Sequence, residues 1–185
     1  MNIWGDTATE EDRRVTGCQI NRKNADPYGI IHRCPWNFPV AVSQKIVDGE
    51  GNLHYGNLSN PLWLTCPYLN YEIHELENEG MIRAVNEFIL TDREAMERMQ
   101  DAHAHFYYYR KHLYRHQSGG GISDSLIENF NVGIGGISDT RFIKCLHLHF
   151  AHYLVYKQNV AGKIVEELLN KKIYCKDGRC LCLKD

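Results

Sequence analysis

The feature that most constrains this chain is where its extended and its helical patterns fall. Runs with strand character lie in the first third: Gly29-Ile30-Ile31-His32-Arg33-Cys34, Phe38-Pro39-Val40-Ala41-Val42 and Pro61-Leu62-Trp63-Leu64-Thr65. β-branched and aromatic residues bounded by Gly, Asn and Pro suit a pleated, half-buried surface. Beyond Cys66 the apolar residues recur at helical spacing, beginning with Leu69, Ile73 and Leu76. Strands first and helices after cannot build the alternating units of a parallel sheet. The pattern therefore predicts an α+β fold, with a small antiparallel strand unit near the N-terminus packed with a helical C-terminal two-thirds.

Turn and cap residues divide the chain further. Residues 1–27 form a polar N-terminal extension with a short helix over 9–14, closed by the turn Asn24-Ala25-Asp26-Pro27. Strand character runs over 28–47, and Asp48-Gly49-Glu50-Gly51-Asn52 reads as the hairpin turn. Cys66-Pro67 ends the last strand and opens a helix, since Pro suits its first position, and Gly80 suits its C-terminal cap. Helices are predicted over 81–90, 92–117, 140–157 and 161–171. Thr91 and Glu94 make a capping box for the second, and Ser138 or Asp139 caps the third. Residues 28–171 are one domain, followed by a Cys-containing hairpin tail over 172–185 that turns at Asp177-Gly178.

Composition narrows the class of function. The chain has 185 residues, 43% apolar and 24% charged, enough for one real core. A formal charge of −2 provides no global field for nucleic acid or an anionic membrane, and no apolar run reaches the length of a membrane span. Tyr107-Tyr108-Tyr109 can stack bases, but that charge gives a nucleic-acid role little support. The N-terminal residues carry neither a basic start nor an apolar stretch, which predicts a cytoplasmic protein. In a reducing compartment the seven Cys residues, an odd number, read as buried apolar groups, metal ligands or reactive thiols rather than as a closed disulfide set.

The chemistry-bearing residues centre on three of those Cys. Arg33-Cys34-Pro35 and Thr65-Cys66-Pro67 repeat one local context, a strand ending at Cys with Pro following. Helix amides and a neighbouring cation at such a junction stabilise a thiolate. In Arg141-Phe142-Ile143-Lys144-Cys145-Leu146-His147-Leu148-His149-Phe150-Ala151-His152, a helical advance of about 100° per residue puts Cys145, His149 and His152 on one face. That face offers a thiol and two imidazoles, ligand types that Zn and Fe favour, while His147 points the opposite way. His103 and Arg110, seven residues apart, share a face of the long helix and can bind an anion or move a proton. Gly133-Ile134-Gly135-Gly136, ahead of Arg141 and Lys144, can expose amides to a phosphate or carboxylate. Each group also has a plain structural role open to it: a core Cys, a hydrogen-bonded His, a snorkelling cation, a flexible connection. In the tail, Cys175 faces Cys180 across a tight turn, near Cys182, as a metal knuckle or redox pair would.

These strings resemble a bacterial family of uncharacterised proteins, domain of unknown function number five hundred and one. The resemblance rests on Arg33-Cys34-Pro35 with Pro39, and Trp63-Leu64-Thr65-Cys66-Pro67 with Leu76-Glu77 and Gly80. It continues through His103, Arg110, Ile134-Gly135-Gly136, Arg141, Lys144-Cys145-Leu146-His147 and Ala151-His152, over about residues 28–165. The family's Asn-Pro-x-Gly is here Asn159-Val160-Ala161-Gly162, without the Pro, and position 149 need not be His in the family. The resemblance implies a shared Cys/His/Arg constellation and no established reaction.

Together these observations predict a metal-dependent enzyme acting on a small anionic molecule, of lyase or hydrolase type. Cys34, Cys66 and Cys145 would hold a [4Fe-4S] cluster with one iron open to substrate, or would join His152 in a zinc site. Arg33, His103, Arg110, Arg141 and His147 would bind or protonate the substrate, and Gly135, Gly136 and Lys144 would hold its anionic group. Two rival readings stand beside it: a metal-free enzyme with Cys66 or Cys145 as nucleophile, and a scaffold or regulatory protein in which these residues are structural supports.

Overall fold

The computed structural model describes residues 3–120, 127, 130–170, 172–178 and 180. Its sheet has four antiparallel strands in the order β1-β2-β3-β4: β1 Asp6–Thr7, β2 Pro27–Arg33, β3 Pro39–Gln44 and β4 Leu62–Leu64. Seven α-helices are present among the described residues: α1 Glu10–Gln19, α2 Tyr55–Ser59, α3 Pro67–Asn78, α4 Met81–Thr91, α5 Arg93–Gln117, α6 Leu146–Val155 and α7 Val160–Leu168. The fold is α+β, with the sheet at the N-terminal end.

The N-terminal segment supplies β1, which pairs with β2 at Asp6↔Ile30 and Thr7↔Gly29, and α1. Thr9 caps α1 in a full capping box, its hydroxyl accepting from the Asp12 amide while the Asp12 carboxylate accepts from the Thr9 amide. The hairpin that joins the two long strands turns at Cys34–Phe38 rather than at 48–52. Cys34 N–H donates to Phe38 O at 3.0 Å, and Asn37 takes the left-handed φ of 66° that the turn needs. Asp48–Asn52 is a separate turn closed by the bridge Val47↔Leu53, and α2 intervenes before β4.

Helix α5 is the axis of the core. Met99, Ala102, Phe106, Tyr109 and Leu113 alternate three- and four-residue steps along it, and all are buried. Each large one stabilises the fold by about 1.5–3 kcal/mol through the water it sheds. Its N-cap is Asp92, whose carboxylate accepts from Ala95 N–H. Thr91 ends α4 instead, with its hydroxyl on the Glu87 and Phe88 carbonyls, so the capping box predicted for Thr91 and Glu94 does not form.

The predicted helix over 140–157 begins only at Leu146, because one local and two tertiary contacts set where it starts. Asp139 accepts from the Arg141 amide and guanidinium. Asn86 of α4 clamps the Ile143 backbone, its amide oxygen taking Ile143 N–H at 2.8 Å and its amide nitrogen donating to Ile143 O. Glu77 of α3 then accepts from Leu146 N–H at 2.6 Å, filling an orphan donor of the first helical turn. Cys145 is left extended, at φ −153°, as the N-cap. The tail carries no strand among its described residues; it packs over the Cys34–Phe38 turn.

Candidate functional site

The capping carboxylate of Glu77 and the displaced start of α6 together build a site. Asn70 and Glu77 are seven residues apart on α3 and therefore share a face. That face meets Cys145 and His147. The Glu77 carboxylate oxygen lies 3.2 Å from His147 Nδ1, and Cys145 Sγ lies 3.8 Å from the same nitrogen. His147 Nε2 donates to Asn70 O at 3.0 Å, so the neutral ring carries its proton on Nε2 and turns a bare Nδ1 toward the thiol and the carboxylate. The donor atoms of Glu77, Cys145 and His147 all lie within 4.8 Å of one another, and among the described residues no other three or more His, Cys, Asp or Glu meet that condition. The His147 and Glu77 side chains are 22% and 19% exposed, so the cluster is open to solvent on one side. Burial pulls the His147 pKa down, but the Cys145 sulfur, the Asn70 carbonyl and the Glu77 charge outweigh it and lift the pKa to about 9.

These three donors fit a metal ion. With Zn–S of about 2.3 Å and Zn–N and Zn–O of about 2.0 Å, a tetrahedron has an N···O edge of about 3.3 Å and an S···N edge of about 3.6 Å. The structure has 3.2 and 3.8 Å. A metal-binding imidazole also characteristically donates its other N–H to a carbonyl or carboxylate, as His147 does to Asn70. A nucleophilic triad is arranged differently, with the thiol on one ring nitrogen and the orienting acid on the other. Here thiol and acid both face Nδ1.

The other candidates predicted from sequence lie elsewhere. Cys34 sits in the β2–β3 turn and Cys66 is the buried N-cap of α3, so neither belongs to the group around Cys145. Burial raises the Cys66 pKa to about 11, with the Leu69 and Tyr68 amides opposing. The predicted shared face of Cys145, His149 and His152 is not formed, because Cys145 precedes the helix and its sulfur meets His147 instead.

The predicted anion-binding cations do not share one cavity either. Arg33 is held by a bidentate pair with Asp12, at 2.7 and 2.9 Å. Arg110 is fully buried and donates to the carbonyls of Phe130, Val132 and Ser59. Arg141 is exposed and paired with Asp139. His103 accepts from Ile134 N–H at Nδ1 and faces Phe142 O at Nε2, acting as a buried clamp. That clamp, together with Gly133 N–H on Ile137 O and Gly136 N–H on Gly133 O, occupies amides that an anion at the Gly-rich turn would need. Gly135 and Gly136 take positive φ in this 3-10 turn, and Lys144 is exposed beside it.

His152 belongs instead to a buried network whose tautomers the geometry sets. Asn159 caps α7, its Oδ1 accepting from Gly162 N–H, so its Nδ2 faces inward. That nitrogen donates to His152 Nδ1 at 3.0 Å and His149 Nδ1 at 3.3 Å. His152 Nε2–H then donates to His105 Nδ1 at 2.9 Å. His149 Nε2–H has no hydrogen-bond partner among the described residues. Burial drives His149 down to about 3 and His103 to about 4, and lowers His105 and His152 as well.

Sequence reasoning did not single out Glu77, and it placed His147 opposite Cys145, whose sulfur the ring meets. The available signal was the pairing of an acidic residue on a Cys-Pro-initiated helix with a Cys-x-His string, which spacing alone does not join. Among the described residues no helix is long and apolar enough to cross a membrane. No curated protein and no solved structure matches the chain. The model of one family, described as "Protein of unknown function (DUF501)", matches residues 30–167, and the chain belongs to that family.

Proposed function

We propose that Glu77, Cys145 and His147 hold one zinc-type metal ion and that the protein is a metal-dependent enzyme acting on a small molecule. The observation that carries this reading is the convergence of a carboxylate oxygen, a thiol sulfur and an imidazole nitrogen on one point, with the N···O and S···N separations near tetrahedral edge lengths. Three protein ligands with one side open to solvent leave a coordination position for water or substrate, as catalytic zinc sites do. When bound there, the metal would act as a Lewis acid and lower the pKa of a bound water, which suits hydrolase- or lyase-type chemistry. Lys144, exposed and next to Cys145 in sequence, is the cation available to an anionic substrate. A [4Fe-4S] cluster on Cys34, Cys66 and Cys145 has less to support it, because Cys34 and Cys66 are not in the group around Cys145.

Elemental analysis of the protein purified without chelators tests the reading. About one metal ion per chain bound through these three residues is expected, and Cys145→Ser, His147→Gln and Glu77→Gln should each lose most of that ion at unchanged circular dichroism, as the loss of one ligand in a three-ligand site requires. Unchanged metal content in all three variants would refute it. A second reading is favoured by the position of Cys145 at a helix N-terminus beside a His of raised pKa: Cys145 as a thiolate nucleophile. Selective alkylation of Cys145 near neutral pH, in metal-free and active protein, would establish that alternative.

A further inference from the structure

The tail brings two cysteines to a short segment, Pro39-Val40 at the start of β3, beside which two more already lie. Cys34 lies across the turn from it, with Arg33↔Pro39 the last register pair of the hairpin. Cys66 N–H donates to Val40 O at 3.3 Å. Gln19 of α1 divides its side-chain amide between Pro39 O, at 2.9 Å, and Cys180 Sγ, at 3.1 Å. Cys175 is brought over the same turn by its carbonyl, which accepts from Trp36 Nε1–H at 3.4 Å. Further contacts seat the tail: Tyr68 OH donates to Lys172 O, Tyr174 OH bonds His32 Nε2 at 2.8 Å, and Gly178 lies against the Trp36 ring, where a Cβ would come within 2.5 Å of Cδ2.

Cys34, Cys66, Cys175 and Cys180 are all free thiols, two of them buried. Cys66 lies close enough to Cys180 and Cys175, and Cys180 to Cys34, Cys175 and Cys18, for a thiolate at one to raise the pKa of the other. Nothing in a set of neutral thiols draws the sulfurs together, and no three of them lie within 4.8 Å. A thiophilic metal would supply that attraction by displacing the thiol protons. Two ligands from the rigid sheet edge and two from a Cys-x₄-Cys arm are the usual division of a metal site that pins a terminal segment.

We propose that Cys34, Cys66, Cys175 and Cys180 form a four-thiolate metal centre, distinct from the Glu77–Cys145–His147 site, that anchors the C-terminal tail on the Cys34–Phe38 turn. Four thiolates are the ligand set shared by a structural zinc ion and a [4Fe-4S] cluster, and the metal analysis separates the two.

The test uses the full chain carrying Glu77→Gln and His147→Gln, so that its outcome does not depend on the function proposed above. Anaerobically purified, this protein is expected to retain either about one zinc ion or about four iron ions with acid-labile sulfide per chain. Adding Cys34→Ser, Cys175→Ser or Cys180→Ser is expected to reduce that metal several-fold, whereas the exposed Cys18→Ser leaves it unchanged. Because Cys66 is in the core, its role is read by cobalt titration, in which thiolate-to-cobalt charge-transfer bands report sulfur ligation directly. Absence of metal from the Glu77→Gln/His147→Gln protein, metal that survives all three serine substitutions, or a metal-free Cys34–Cys180 disulfide in peptide mapping would each overturn the proposal.

Discussion

Acidification from about pH 7 to about pH 4.5 is expected to cost this fold at least about 4 kcal/mol, chiefly through histidines buried in its core. His103 and His149 are buried, and desolvation lowers their pKa values to about 4 and about 3. Both lie below the unfolded value of about 6.5, so the fold favours the neutral ring. Their contribution is therefore complete above about pH 6.5 and is lost as the pH falls toward the folded values. At about pH 4.5 the unfolded chain has taken up both protons and the folded chain almost neither, a penalty of about 2.5 kcal/mol for each ring. His147, with its raised pKa, returns about 1 kcal/mol over the same interval. Asp12 is held at about 2 by its pair with Arg33 and stays ionised, so its own titration contributes little over this interval. The net of these three rings is about 4 kcal/mol, the lowered His105 and His152 add to it in the same direction, and the sum is comparable to the whole stability of many domains, which run from about 5 to 15 kcal/mol. Urea unfolding at the two pH values, followed by circular dichroism, measures it directly. His149→Leu removes one titrating ring and its unpartnered N–H, and should reduce the difference by about 2.5 kcal/mol. Equal unfolding free energies at both pH values, or an NMR titration of the His149 ring near pH 6.5, would show the reasoning to be wrong.

Gly162→Ala should destabilise the protein by about 3 kcal/mol, since the new methyl would stand 2.2 Å from Tyr153 Cβ and 2.8 Å from His149 O. Gly49→Ala, which meets nothing within 4 Å, is the control for thermal unfolding and should shift the midpoint little. In metal-free protein, the stabilisation from His147 is full below about pH 6.5 and is lost as the pH rises through about 9, amounting to roughly 3 kcal/mol. His147→Gln should therefore flatten the alkaline limb of the stability profile, and an unchanged limb would remove the imidazole from the account.

Much of the architecture was legible because it rests on local rules. The α+β class follows from β-branched runs before Cys66 and helical spacing after it, and Cys66-Pro67 opens α3 as such a string should. The family likeness was legible for the same reason, carried by short strings such as Thr65-Cys66-Pro67 and Lys144-Cys145-Leu146-His147. The candidate site was legible only in part. Cys145 and His147 were visible as chemistry-bearing residues, but their geometry depended on where α6 begins, and a helical wheel assumes that start rather than deriving it.

That start is set by residues far away in sequence. Asn86 clamps the Ile143 backbone and Glu77 takes the Leu146 amide, and neither contact exists until α3 and α4 have packed against this segment. The same holds for the cations. Arg33, Arg110 and Arg141 look alike in a sequence, yet one is paired with Asp12, one is buried on three carbonyls and one is exposed on Asp139. The sequence by itself determined the class of the fold, the family and the residue types available for chemistry, because periodicity and turn propensity act over a few residues. Which sulfur meets which imidazole was decided only by tertiary structure, because a side chain's partner is chosen by packing between distant elements, and a one-residue change in a helix start turns that side chain by about 100°.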